Sequence, residues 1–244
     1  MGTVISQKTF GLFEVAYSCR LYEQLTGYDV SLKRLRATAP EGIDLFRSDH
    51  RDAVLKWLRE WGCRQFAISY NELSSSQLLE WAETWVARLP DTKTNLVDLD
   101  ETELSNCTSA YADLWVRPAS YSHKGSTEIL KTFGPVGGAK ALYVTRPRLF
   151  PPWDRYIITK LGYGVGGPKD FGRYLQRAAA QLRALASRAS CDVEDIPRLL
   201  GRPDSSPPKL VDECNWTIIT KECVPPTLAS LRLWLKWAEM SADG

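Results

Sequence analysis

Residues 126–157 read Ser126-Thr-Glu-Ile-Leu-Lys-Thr-Phe-Gly-Pro-Val-Gly-Gly-Ala-Lys-Ala-Leu-Tyr-Val-Thr-Arg-Pro-Arg-Leu-Phe-Pro-Pro-Trp-Asp-Arg-Tyr-Ile157. Ser126 suits a helix N-cap, and Ile129, Leu130 and Phe133 are spaced to give a short helix one apolar face. Gly134-Pro135-Val136-Gly137-Gly138 then asks for a turn, because glycine permits positive φ and close backbone approach. Ala139, Leu142 and Tyr143 carry a second helix, with Lys140 near its start, until Arg146-Pro147 stops it. Pro151-Pro152-Trp153 brakes the chain, and Asp154 stands at the cap of a third helix, a role worth about 1 kcal/mol. A hairpin of this kind offers free N–H groups at a helix N-terminus, which hold a phosphate without reading sequence.

Outward from this stretch, helical spacing dominates. Asp49 can cap a helix through Val54, Leu55, Trp57, Leu58 and Trp61. Asn71 or Ser74 starts another, with Leu78, Leu79, Trp81, Trp85 and Val86 as its apolar face. Asp100 with Glu103 fits a capping box for a helix reaching Trp115. Phe171–Arg188 reads as a long helix with Pro168 at its first turn, and Leu228–Met240 as the last one. Aromatic stripes at this spacing form core more often than ligand boxes. Short β-prone runs at Phe66–Ser69 and Trp216–Thr220 read as strands or extended connectors. Gly201–Lys209, with three prolines, reads as a loop. Gly162–Gly167 satisfies GxGxxG but follows a helix, with no βαβ unit around it. It therefore reads as an elbow into the helix carrying Lys169, Arg173 and Arg177.

Charge narrows the function classes. The chain of 244 residues carries a net charge of only +2. Between Lys131 and Arg188, however, eleven Lys and Arg face only Asp154 and Asp170, a local excess of +9 that leaves −7 for the rest. Such a segment is a candidate phosphate-facing surface, or else a basic helix paired with the acidic remainder. The six cysteines form no CxxC pair, which points to reduced, mostly buried thiols rather than zinc or an iron–sulfur cluster. Two histidines, His50 and His123, are too few for a His-rich metal site or a Ser-His-Asp triad, and each reads as a surface or capping residue. No run of about 18 apolar residues occurs. The N-terminus, with Lys8 and Glu14 among scattered apolar residues, has no signal-peptide core. A cytoplasmic protein is expected.

The stretch 126–157 resembles the helix-hairpin-helix superfamily of DNA glycosylases. Phe133 and Val136-Gly137 match the family's Leu-Pro-Gly-Val-Gly hairpin, while Pro135 stands where its first glycine belongs. The family's lysine column holds Ala139, and a one-residue insertion brings Lys140 to it. Phe150-Pro151-Pro152-Trp153-Asp154-Arg155-Tyr156-Ile157 is similar to the Phe-Pro-x-x-Asp-x-x-[Val/Ile] segment of adenine-mismatch glycosylases. The resemblance implies an all-α, two-lobed fold in which a short β pair can occur. One lobe would span residues 46–149 and contain the hairpin 126–145; the other would combine 1–45 with 150–244. It further implies excision of a damaged or mismatched base through a flipped nucleotide, with Asp154 as the catalytic carboxylate and Lys140 as nucleophile or phosphate contact. Gly134, Val136, Gly137 and Gly138 would meet the DNA backbone together with Arg146, Arg148, Arg155, Lys169 and Arg173. Double-stranded DNA would be the partner, with no cofactor, no metal and no membrane, and the protein would be nucleoid-associated. The alternative is a non-catalytic DNA-binding or protein-interaction module on the same fold.

Overall fold

Asp100 and Glu103 stand three residues apart ahead of an apolar run, and they form the reciprocal cap that this spacing permits. Glu103 N–H donates to Asp100 Oδ1 at 2.7 Å, and Asp100 N–H donates to the Glu103 carboxylate at 3.1 Å. The helix they open is the fifth of eleven in a computed structural model that describes residues 9–242. Lys8 lies outside the described residues. In chain order the helices are α1 (Leu12–Leu25), α2 (Tyr28–Thr38), α3 (Ser48–Glu60), α4 (Asn71–Trp85), α5 (Glu101–Val116) and α6 (Gly134–Thr145). They continue with α7 (Arg155–Lys160), α8 (Pro168–Ala189), α9 (Ile196–Leu199), α10 (Pro207–Asn215) and α11 (Leu228–Ala242). The fold is mostly helical, with one small antiparallel sheet among the described residues. No described helix is long and apolar enough to cross a membrane.

The sheet corrects two expectations. Residues 126–133 do not form the first helix of a helical hairpin. Pro118–Lys124 and Thr127–Thr132 pair as antiparallel strands β1 and β2, with Lys124 opposite Thr127 and Tyr121 opposite Leu130. Only Gly125 and Ser126 join them, and Gly125 takes φ +63°. A Gly-Ser pair between β-branched and aromatic residues is a two-residue hairpin signal, and it outweighs Ser126 as a cap. The chain reverses once more at Gly134, φ +66°, and Pro135 already lies in the first turn of α6. The strands expected at Phe66–Ser69 and Trp216–Thr220 are also absent. A 3₁₀ turn covers Ile68–Tyr70, and Trp216–Thr220 is a π-helical turn continuing α10. Gly201–Lys209 is a loop only as far as Ser206, because Pro207 and Pro208 open α10.

The apolar stripes read from α3 and α4 are core. Val54, Leu55, Trp57, Leu58, Leu78 and Trp81 are all buried. Helix α3 begins one residue before Asp49, which sits in the first turn paired with Arg47 rather than at the cap. The centre of the fold is α6, in which every residue from Gly137 to Thr145 is buried except Lys140. Its start is clasped from three sides. Trp153 Nε1–H donates to Pro135 O at 2.9 Å, Tyr111 O–H donates to Gly166 O at 2.7 Å, and Gly166 packs against the Pro135 ring. A second, smaller core joins Phe10, Val15 and Cys19 of the N-terminal region to Leu185, Ile196, Leu210 and Cys214. All six cysteines are free thiols, four of them buried. His50 is buried rather than exposed, and its Nδ1 accepts from the Asp44 N–H.

Candidate active site

Helix α7 begins where the sequence places it. Asp154 is its N-cap, with Oδ1 accepting from the Ile157 N–H at 2.7 Å. The other oxygen, Oδ2, accepts from the Thr220 hydroxyl at 2.9 Å, so the carboxylate is fixed from two elements distant in sequence. Lys140 is the one residue of α6 beyond Gly137 that is not buried, because α6 is packed on its remaining faces. Its Nζ donates to Trp61 O at 2.8 Å and lies 5.2 Å from the centre of the Trp61 ring. These contacts are a carbonyl and a π face, not a carboxylate.

Asp154 and Lys140 line the same cleft, of about 550 Å³. Six aromatic side chains wall it: Tyr22, Tyr28, Trp61, Trp153, Tyr156 and Trp216. Trp153 is fully buried and packs against Tyr111, Phe171 and Tyr174, whereas Tyr156 is exposed. The charged lining comprises Arg64, Lys140, Arg155 and Lys221 against Asp154 and Asp212, so positive groups outnumber negative ones.

Beneath the aromatic wall lies an ion pair on α10. Lys209 is fully buried, and its Nζ reaches Asp212 Oδ2 at 2.7 Å and Glu213 at 3.8 Å. The same ammonium lies 4.0 Å from the centre of the Tyr22 ring and 5.2 Å from that of Trp61. The two partners respond differently to this setting. Burial works against the Lys209 charge, but the surrounding anions outweigh it and raise its pKa well above the usual value. For Asp212 burial prevails over the attraction of Lys209 and pushes the carboxyl up to about 6. The Asp212 carboxyl therefore sheds its proton closer to neutrality than an exposed aspartate does. Glu213 also pairs with Arg202, which engages Asp29 and Glu23 and pins the 201–206 loop to α1 and α2.

Of the residues expected at the site, the cleft brings together Lys140, Asp154, Arg155 and Val136. Gly137 and Gly138 are buried packing positions. Arg146 donates to Pro90 O and Thr145 O, and Arg148 donates to Lys93 O and pairs with Glu194, away from this cleft. Arg173 pairs with Asp170 and faces the Tyr163 ring, while Lys169 is exposed. Part of the basic excess is thus spent within the fold. Sequence reading missed Tyr22, Tyr28, Trp61, Gln65, Asp212, Trp216, Thr220 and Lys221 as lining. The usable signal was Lys209-x-x-Asp212-Glu213, whose spacing puts all three charges on one helical face. Among the described residues no group of three or more His, Cys, Asp or Glu is arranged to hold a metal ion. No protein-family model, curated protein or solved structure matches the chain.

Proposed function

We propose that the chain is a glycosylase-like DNA-binding protein that releases a damaged or mismatched base from a flipped nucleotide, and that the aromatic cleft receives that base. The observation that carries this reading is the presence of Lys140 and Asp154 in one cleft walled by six aromatic residues and rimmed by an excess of cations. Stacking surfaces suit a base drawn out of the duplex, and the cations suit its phosphates. The lining comes from both stretches of the expected two-lobed arrangement. Trp61–Gln65, Val136 and Lys140 belong to residues 46–149, and the remaining lining residues to the chain before or after them. Asp154, held by Ile157 and Thr220, stabilises positive charge at the sugar as the glycosidic bond breaks. Water then supplies hydroxide to the sugar carbon and a proton to the departing base. Lys140 contacts a phosphate, or takes the place of that water as the nucleophile, its ammonium proton going to the departing base.

The family hairpin does not support this reading, because its first helix is replaced by β2. One observation favours the alternative of a non-catalytic binding module: the Lys140 ammonium is turned onto Trp61. Asp154→Asn separates the two. Asparagine still caps α7, so folding and DNA binding should persist while base release from oxidised, deaminated, alkylated and mismatched duplexes is lost. If wild type and variant are equally inert across that panel, the catalytic reading fails and the binding module replaces it.

A further inference from the structure

Asp212 is 6 % exposed, yet it lines the cleft. Lys209 occupies its Oδ2, while Oδ1 accepts from no donor among the described residues and is not enclosed by the fold. A carboxylate oxygen at the floor of an aromatic cleft, without a donor of its own, is complementary to a ligand N–H. Lys209 is held in turn by Glu213 and the Tyr22 ring, so the carboxylate has no freedom to turn away. The cationic rim argues against a positively charged ligand. What remains is a neutral ring with a donor edge on an anionic backbone.

Building on the proposed function, we infer that Asp212 selects the ligand of the cleft: its Oδ1 accepts a hydrogen bond from an N–H on the edge of a nucleobase lying against the aromatic wall. Asp212 takes no part in bond breaking. It rejects bases that present an acceptor or a methyl group at that edge, because the buried oxygen would then be desolvated without a donor.

The test is calorimetric titration of the full chain with 2′-deoxyinosine, thymidine and 2′-deoxyadenosine, each against the analogue in which the base N–H groups are methylated. For at least one pair the N–H form should bind about tenfold more tightly or better, as expected for a hydrogen bond to a charged group. In Asp212→Asn the side-chain oxygen must turn toward Lys209, which only donates, and the cleft is left facing an NH₂ group. The preference for N–H forms should then vanish. Should that variant fail to fold, Lys209→Met combined with Asp212→Leu removes both members of the buried pair, a replacement such pairs commonly tolerate; it should bind each pair without preference. Equal affinity for N–H and methylated forms in the wild type, a preference that survives in either variant, or no saturable binding at millimolar nucleoside would each overturn the inference. Base release from damaged duplexes, measured in parallel, keeps the two readings apart. Release that is unchanged in Asp212→Asn would refute the selecting role alone. Asp212-dependent nucleoside selectivity without any base release would refute the excision chemistry alone.

Discussion

Gly137→Ala and Gly138→Ala, on adjacent residues of α6, should have opposite effects on stability. Both glycines are buried helical positions without positive φ, so alanine would gain about 1 kcal/mol in helix propensity at either one. At Gly138 a new Cβ would stand 3.6 Å from the Tyr111 ring and 3.8 Å from the Trp115 backbone, which is ordinary contact. At Gly137 it would fall 2.5 Å from Gln65 Nε2 and 2.9 Å from the Phe66 ring. Gln65 could swing aside only by giving up its 2.6 Å hydrogen bond to Phe133 O. Phe66 is buried and meets Phe133 edge-on at 4.8 Å, which leaves its ring little room. Overpacking of this kind costs about 1–3 kcal/mol. Net of propensity, Gly137→Ala should destabilise by up to about 2 kcal/mol and lower Tm by up to roughly 8 °C, whereas Gly138→Ala should leave Tm unchanged or raise it by about 2–4 °C. Urea and thermal unfolding followed by circular dichroism measure both. A Gly137→Ala protein as stable as Gly138→Ala would refute the close packing of α6 against residues 65 and 66, and with it the placement of Gln65 at the cleft.

The remaining predictions concern charge. The Asp212 carboxyl is raised from its usual 3.8 to about 6, mainly by burial, with Lys209 and Lys140 opposing and Asp154 adding. Glu213 adjoins it on α10, and Tyr22, Tyr143 and Tyr174 face it from α1, α6 and α8. The folded state therefore holds this proton more firmly than the unfolded chain. The resulting stabilisation is complete below pH 3.8 and lost as pH rises through about 6. Relative to Asp212→Asn, wild-type stability should fall by on the order of 3 kcal/mol across that window and stay level above it; parallel lines from urea melts at each pH would refute the shift. For DNA binding, Arg64→Glu, Arg155→Glu and Lys221→Glu together should weaken affinity and flatten its dependence on log salt by about 0.9 per lost phosphate contact. Arg148→Glu, whose guanidinium already serves Glu194 and Lys93 O, should change that slope little. Fluorescence anisotropy of a labelled duplex measures both, and no wild-type binding at about 50 mM salt would end the DNA reading.

The helices that bury a regular apolar stripe were legible in the sequence. Those of α3, α4, α5 and α8 follow from spacing, and the starts of α5 and α7 from the caps Asp100 and Asp154. What the sequence hid depends on contacts between distant segments. Ser126 carries local signals both for a helix cap and for a hairpin turn, and the pairing of Thr127–Thr132 with Pro118–Lys124 bears out the turn. The same limit applied to the site. Asp154 was recognisable as a cap, but its second partner, Thr220, lies 66 residues away. Trp61 reads as the end of a core stripe, and only the approach of α6 sets its ring beside Lys140. Arg146 and Arg148 look like free charges in a basic run until Pro90, Lys93 and Glu194 take them up.

The π-helical turn at Trp216–Thr220 gives the cleft a sensitivity to chain length that differs between the loss of a residue and the gain of one. A π turn holds one residue more than the α turn it replaces. The surplus residue is absorbed within the turn, and Trp216, Thr220 and Lys221 join Asp212, which precedes them on α10, on one concave surface. Removing one residue from the turn would rewind it to α geometry and leave the positions beyond it near their present angle, whereas inserting one would turn them by about 100°. After an insertion Thr220 would leave Asp154, and Lys221 would leave the rim. Along this stretch the cleft can absorb the loss of one residue more readily than the gain of one.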